Sequence, residues 1–313
     1  MLPDGLASPL VELAVHNLLI DRLTAEVAGL FAEAGIECML IKGPVIAEWL
    51  YEDGLRGYLD SDLLVARSDW DGAVALLEHH GFSDYLGPMA HPRMESLAST
   101  AFVRGTQAVD LHCTLAGLEV APEMIWGTLW QNADRKEVGG RVMTVPGRPA
   151  ILMHLALHAA HHGHLKPLED LRRGIEAADV EDWRAAAMLA EELGGLAAFA
   201  SGLRLVPEGR TLVRTLGVED VGSVHFDLRA SSVPTAEALN ELLGPGLTVT
   251  QRAEVALREL FPKPGFMWWW TPLARRGRRG LLVSYPLRWA WLAVKVPGGL
   301  LELRRARRRR AGV

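Results

Sequence analysis

Apolar residues Leu10, Leu13, Ala14, Leu18, Leu23, Val27 and Leu30 recur at near-helical spacing before Gly35, which predicts one or two helices over 9–34. The pattern then changes to a short apolar run over 37–41, the turn Lys42-Gly43-Pro44 and a helical stretch over 45–51. Proline in the first turn of that helix costs no hydrogen bond, and the helix start would offer backbone N–H groups to an anion. A loop over 52–58 leads to a strand carrying Asp60 and Asp62, then to a helix over 68–80 with Ser68 as its cap and Gly81 as its stop. A strand near 82–85, a loop, and two strands near 101–104 and 108–115 turning at Gly105-Thr106 follow. A helix over 122–131 precedes a hairpin, 135–138 with 141–145, through Gly139-Gly140.

From 147 the spacing is almost wholly helical through 205. Residues 207–262, interrupted by Pro234, Pro245 and Pro262, read as short helices and loops. The expected organisation is an α+β domain over 1–147, a helical domain over 148–262 and a tail over 263–313. At 313 residues the chain exceeds one ordinary core, which agrees with two compact units and an appendage. A hydrophobic fraction of 49% and a charged fraction of 23% exclude a disordered chain.

Cys38 and Cys113 both sit in apolar runs without a Cys-x-x-Cys partner, so they read as small buried thiols of a reducing compartment. No basic start with an apolar core marks a secretory signal, and a cytoplasmic location is the default expectation.

Charge separates the tail from the rest. Residues 265–313 hold 12 Lys and Arg against 1 acid, a net +11, while the remaining 21 bases and 37 acids give −16. Trp268, Trp269 and Trp270, then Trp289 and Trp291, interleave with arginines 275–279 and 304–310. The apolar stretch 281–296 is broken by Pro286, Arg288 and Lys295 and is too charged to span a bilayer. Three expectations stand for this tail. One is a tryptophan-rich strap packed on the acidic body with a disordered arginine end; the second is peripheral contact with anionic lipid; the third, less favoured, is nucleic-acid binding. Tryptophan favours lipid over nucleic acid.

The chemistry begins with Asp60-Ser61-Asp62-Leu63-Leu64-Val65. Residues i and i+2 of a strand share a face, so both carboxylates would aim at one point, where their mutual repulsion is relieved by a divalent cation. Asp110 lies in a later apolar run, Ala108-Val109-Asp110-Leu111-His112, and is the third candidate. Lys42 reads either as a phosphate-binding charge or as a surface turn lysine, with Gly43 allowing close backbone approach. Arg56 reads as a loop charge, a partner of Asp60 or a phosphate clamp. His112, two residues from Asp110, fits a core or supporting polar position better than a catalytic one.

Together, Leu40-Ile41-Lys42-Gly43, the run 55–65, Val109-Asp110-Leu111-His112 and Leu155-Ala156-Leu157-His158 resemble an uncharacterised bacterial nucleotidyltransferase family of the DNA polymerase beta superfamily. Coverage is roughly the first 180 residues, and the likeness extends to His158, His161 and Asp170. The resemblance implies a mixed sheet with flanking helices, followed by a helical domain. It implies a two-metal transfer with Mg²⁺ or Mn²⁺, in which Asp60 and Asp62 hold both ions and Asp110 binds one and helps to deprotonate the acceptor. The donor would be an NTP or sugar nucleotide contacted by Lys42, Gly43, Arg56, His112 and His158, and the acceptor a hydroxyl of a peptide or small molecule. Members of the family often accompany gene clusters for peptide natural products, lasso peptides among them. Where the superfamily has Gly-Ser or Gly-Gly, this chain has Lys42-Gly43, which leaves nucleotide use open.

His154, His158, His161, His162 and His164 form a second cluster, the first four near one helical face. A metal-dependent hydrolase site is one reading of it. Polar packing is the better one, because no His-Glu-x-x-His motif is present. A non-catalytic binding protein of the same fold is the alternative to an enzyme.

Overall fold

The computed structural model describes residues 9–52, 55–85, 99–162, 165–230, 233–244 and 248–311. His164, Pro245, part of the 52–58 loop and most of the loop after residue 85 lie outside them. The chain divides into two compact units. The first takes in Met1–Tyr85, Leu97–Leu155 and Glu169–Gly195; the second takes in Leu86–Ser96, Ala156–Leu168 and Leu196–Val313.

In the first unit a single helix α1 (Pro9–Glu33) precedes β1 (Cys38–Leu40), α2 (Pro44–Leu50) and β2 (Ser61–Val65). Then follow α3 (Trp70–His79), β3 (Ser83–Asp84), β4 (Ser99–Arg104), β5 (Gln107–His112), α4 (Pro122–Gln131), β6 (Ala133–Val138) and β7 (Arg141–Pro146). Helix α5 (Arg148–His162) belongs to this unit through Leu155, α6 (Leu165–Ala177) from Glu169 onwards, and α7 (Val180–Glu192) throughout. Ser68 does not cap α3: a short 3-10 turn, Arg67–Asp69, comes first and moves the helix start to Trp70.

The seven strands form one mixed sheet in the order β3-β4-β5-β2-β1-β7-β6. β2 runs parallel to β5 and antiparallel to β1, while β7 is parallel to β1. The fold is therefore α+β, a mixed sheet with flanking helices followed by an extended helical region, as its residue pattern predicts. Two glycine turns set its hairpins. Gly105 joins β4 to β5 at φ +62°, and Gly139 and Gly140 join β6 to β7 at +58° and +81°, the left-handed values that a two-residue hairpin turn needs.

One face of the sheet makes the core. Leu40, Leu63, Val65, Val109, Leu111, Met143 and Val145 pack there with Leu23, Val27 and Phe31 of α1 and with Ala73 and Leu77 of α3. Strand alternation sends Leu63 and Val65 into that core, so Asp62 and Leu64 point to the other face. Thr24 of α1 donates to Ser61 Oγ at 2.8 Å, tying the helix to the start of β2 on the core side.

The second unit is helical. The chain from 264 onwards, expected as a strap with a loose arginine end, is instead a helix Pro264–Trp270, a 3-10 turn Pro272–Arg275 and a long helix Gly277–Ala311 that carries the arginines. Leu303 and Ala306 explain this order, because they are buried with Leu228 and Ala236 and anchor the far end. Phe266, Met267 and Ala274 do the same near its start.

Candidate metal centre

Register places Asp62 directly beside Asp110 on the parallel pair β2 and β5, with Leu64 beside His112. Asp62, Asp110 and His112 therefore share the face opposite the core, and each offers a ligand atom within 4.8 Å of the others. Asp62 is 4% exposed and Asp110 half-buried. His112 Nε2 is 3.3 Å from Asp62 Oδ1. A single ion with opposed ligands at ~2.1 Å spans ~4.2 Å, so small side-chain adjustments would bring these three atoms around one cation. Two carboxylate oxygens and an imidazole nitrogen fit a hard or borderline divalent ion such as Mg²⁺ or Mn²⁺.

Asp60 is not in this set. β2 begins at Ser61, and Asp60 sits in the bend before it, where strand alternation does not govern its direction. Its charge still helps to hold the Lys42 ammonium. His112, expected in a supporting position, stands with the two aspartates instead; its spacing from Asp110 is the sequence signal that points to it.

Lys42 enters from the end of β1. The Ile41 N–H donates to the Asp62 carbonyl at 3.1 Å, continuing the strand pairing, and the next side chain turns back onto the acid. Its Nζ lies 2.5 Å from Asp62 Oδ1, so the lysine is a part-buried ion-pair partner and not a surface turn charge.

Burial pushes the Asp62 carboxyl up, but Lys42 and His112 together outweigh it and hold it well below the usual range. For Lys42, burial pulls down while Asp62, then Asp110 and Asp60, raise it further. Asp110 moves the other way: burial and then the neighbouring Asp62 charge push its carboxyl up.

Gly43 follows at φ +62°, a conformation that a side chain strains. A Cβ there would meet only the Tyr58 ring at 3.5 Å, so conformation and not space calls for glycine. The first amides of α2 are not free for an anion as expected: Val45, Ile46 and Ala47 donate to the Lys42 and Gly43 carbonyls.

Arg56 does not pair with Asp60. Its Nε and Nη2 grip both oxygens of Asp170 at 2.9 and 2.7 Å, and its Nη1 reaches the Gly43 carbonyl at 3.4 Å. Tyr51 donates to the same Asp170 at 2.7 Å. The segment leading to β2 is held from α1 as well. Asn17 donates to the Arg56 carbonyl at 2.9 Å and accepts from the Tyr58 N–H at 3.4 Å, while Tyr58 donates its hydroxyl to Asp21 at 2.7 Å. Asn17, Asp21, Tyr51 and Tyr58 carry no local sequence signal for this role.

His158 belongs to the second unit, where its ring centroid lies 4.7 Å from that of His162, the two rings tilted by 59°. His161 Nε2 there accepts from Arg229 Nη2 at 2.8 Å. Among the described residues, the α5 histidines do not form a second three-ligand group.

A family model described as an uncharacterised nucleotidyltransferase matches residues 3–209. No curated protein matches the chain. Among solved structures, the solution structure of the antibiotic-resistance factor ANT(2'')-Ia is similar at 15% identity with a TM-score of 0.39, covering 60% of this chain and 96% of that one. That likeness is too slight to say anything of substrate. The family match takes in most of the chain and every residue of the centre, and the chain belongs to this uncharacterised nucleotidyltransferase family.

Proposed function

We propose that the chain is a divalent-cation-dependent enzyme that moves a nucleotidyl group from an NTP or sugar nucleotide to a hydroxyl of a peptide or small molecule. The carrying observation is the meeting of Asp62, Asp110 and His112 on one sheet face, with the Lys42 ammonium beside them. Asp62, Asp110 and His112 would hold Mg²⁺ or Mn²⁺, which when bound polarises the donor phosphate and favours deprotonation of the attacking hydroxyl.

With Asp60 outside the converging set, the reading uses one ion, and Lys42 supplies a second positive charge toward the triphosphate. Asp110 would also help to deprotonate the acceptor hydroxyl. Gly43 lets the backbone come near the phosphates, and Arg56 acts on that turn through its hold on Asp170 and the Gly43 carbonyl.

Incubating the protein with labelled NTPs, Mg²⁺ or Mn²⁺ and a cell extract tests the reading. Label transferred by the wild type and lost in Asp110→Asn is the expected result; equal transfer by that variant would contradict it. A second reading follows from the lysine itself, which already neutralises Asp62 without a metal. In a non-catalytic binding protein the pair would stay closed, and calorimetry with Mn²⁺ would register no binding.

A further inference from the structure

The long C-terminal helix has two faces. Ser284, Arg288, Leu303 and Ala306 are buried against the second unit, with Arg288 donating to the Glu259 carbonyl at 3.0 Å. At ~100° per residue these positions fall within a sector of ~100°. Val283, Leu287, Val294 and Leu301 lie within ~40° of one another, about 130° from the centre of the buried sector. They are exposed, Val294 by 76% and Val283 by 58%, and Trp268 and Trp269 are exposed just upstream. Between 281 and 301 the only charged residues are Arg288, which is buried, and Lys295, which lies off the stripe.

Both ends of the stripe are basic. Arg275, Arg276, Arg278 and Arg279 precede it, arginines 304–305 and 307–309 follow, and all are exposed. Arg279, Arg304 and Arg308 fall on the same side as the stripe, within ~80° of its centre.

We propose that this face docks on an anionic phospholipid surface, with the aliphatic stripe and the exposed tryptophans entering the interface and the two arginine groups binding headgroup phosphates. Charge and shape select this occupant. An aliphatic stripe gains burial among acyl chains and nothing from a polynucleotide backbone. A second copy is disfavoured because both ends of the helix are cationic, so parallel and antiparallel pairings alike bring arginines together. The helix lies on the membrane and does not cross it, since no described helix is long and apolar enough to do so. This docking is independent of nucleotide transfer.

Flotation of the full chain with vesicles tests it, read by the bound fraction and by the tryptophan emission maximum. The wild type is expected to float with mixed phosphatidylglycerol and phosphatidylcholine vesicles at low salt, to shift its emission to the blue, and to be released by high salt. It is expected to stay down with pure phosphatidylcholine. Arg304→Glu with Arg308→Glu should weaken binding about ten-fold or more. Val283→Glu with Val294→Glu should abolish the blue shift, each pair keeping the wild-type circular dichroism because all four sites are exposed.

No flotation of the wild type at low salt would overturn the proposal, as would equal binding to neutral vesicles. So would preferential retention on single-stranded RNA, or a concentration-dependent dimer that Val294→Glu disperses while vesicle binding is absent. The salt and lipid dependence of the wild type decides the question even if a variant fails to fold.

Discussion

The Lys42 ammonium contacts the Asp62 carboxylate at 2.5 Å, while Asp110, paired with Asp62 across two parallel strands, feels that carboxylate mainly as repulsion. Two neighbouring aspartates on one sheet face thus have opposite effects on the metal-free fold.

Substitution should separate them. Repulsion between acids alone would make Asp62→Asn harmless, but this exchange takes the main partner from a part-buried lysine and should cost about 1–3 kcal/mol of metal-free stability. Asp110→Asn should be neutral or stabilising, because it removes the acid whose ionisation burial and Asp62 oppose. Urea unfolding in a chelating buffer measures both, and equal losses would rule out the pairing described.

Acid and alkali should act through the same residues. Asp62 has a folded value below its ordinary 3.8, so its contribution is present above that pH and is lost as pH falls through the folded value. Lys42 has a folded value above 10.5, so its contribution is present below that pH and is lost as pH rises through the folded value. Asp110 is raised above 3.8, so its cost sets in as pH climbs past 3.8 and is complete above the folded value. The gain from Asp110→Asn should therefore be larger at neutral pH than near pH 3.8, and Lys42→Met should flatten the alkaline limb of a stability-against-pH curve.

Metal binding should be one ion per chain. His112→Ala should weaken Mn²⁺ binding by about ten-fold or more, while Asp60→Asn should leave it close to wild type. Calorimetry reads both the affinity and the stoichiometry; two ions per chain, one of them lost with Asp60, would restore the three-aspartate arrangement that the sequence alone favours.

The cysteines give a separate check. Burial pushes the Cys38 thiol up to about 12, and burial also raises Cys113. Neither should react with a disulfide reagent at pH 8 in the folded protein, and both should react in urea. Rapid native labelling would contradict the packing of β1.

Local signals made much of this architecture legible. Glycine pairs mark the hairpins, Pro122 marks the start of α4, and Asp110-Leu111-His112 carries the period of two that aims two ligands at one face. Asp60 was expected inside the strand, but the strand starts one residue later, so period-two alternation does not by itself fix where its carboxylate points. Arg56 with Asp170 was beyond reach for a different reason. The partners are 114 residues apart, and no local periodicity records which distant carboxylate a guanidinium will meet. The arginine-rich end escaped because its order comes from Leu303 and Ala306 packing on another helix, not from its own composition.

Asn17 shows where the aim of the centre is set. One amide side chain of α1 gives a hydrogen bond to the carbonyl of Arg56 and takes one from the amide of Tyr58. The first helix therefore acts as a jig for a segment some forty residues downstream. A protein trimmed of this helix would lose Leu23, Val27 and Phe31 from the core together with this hold on the segment before β2, so a fragment lacking it would be a poor guide to what the whole chain can do.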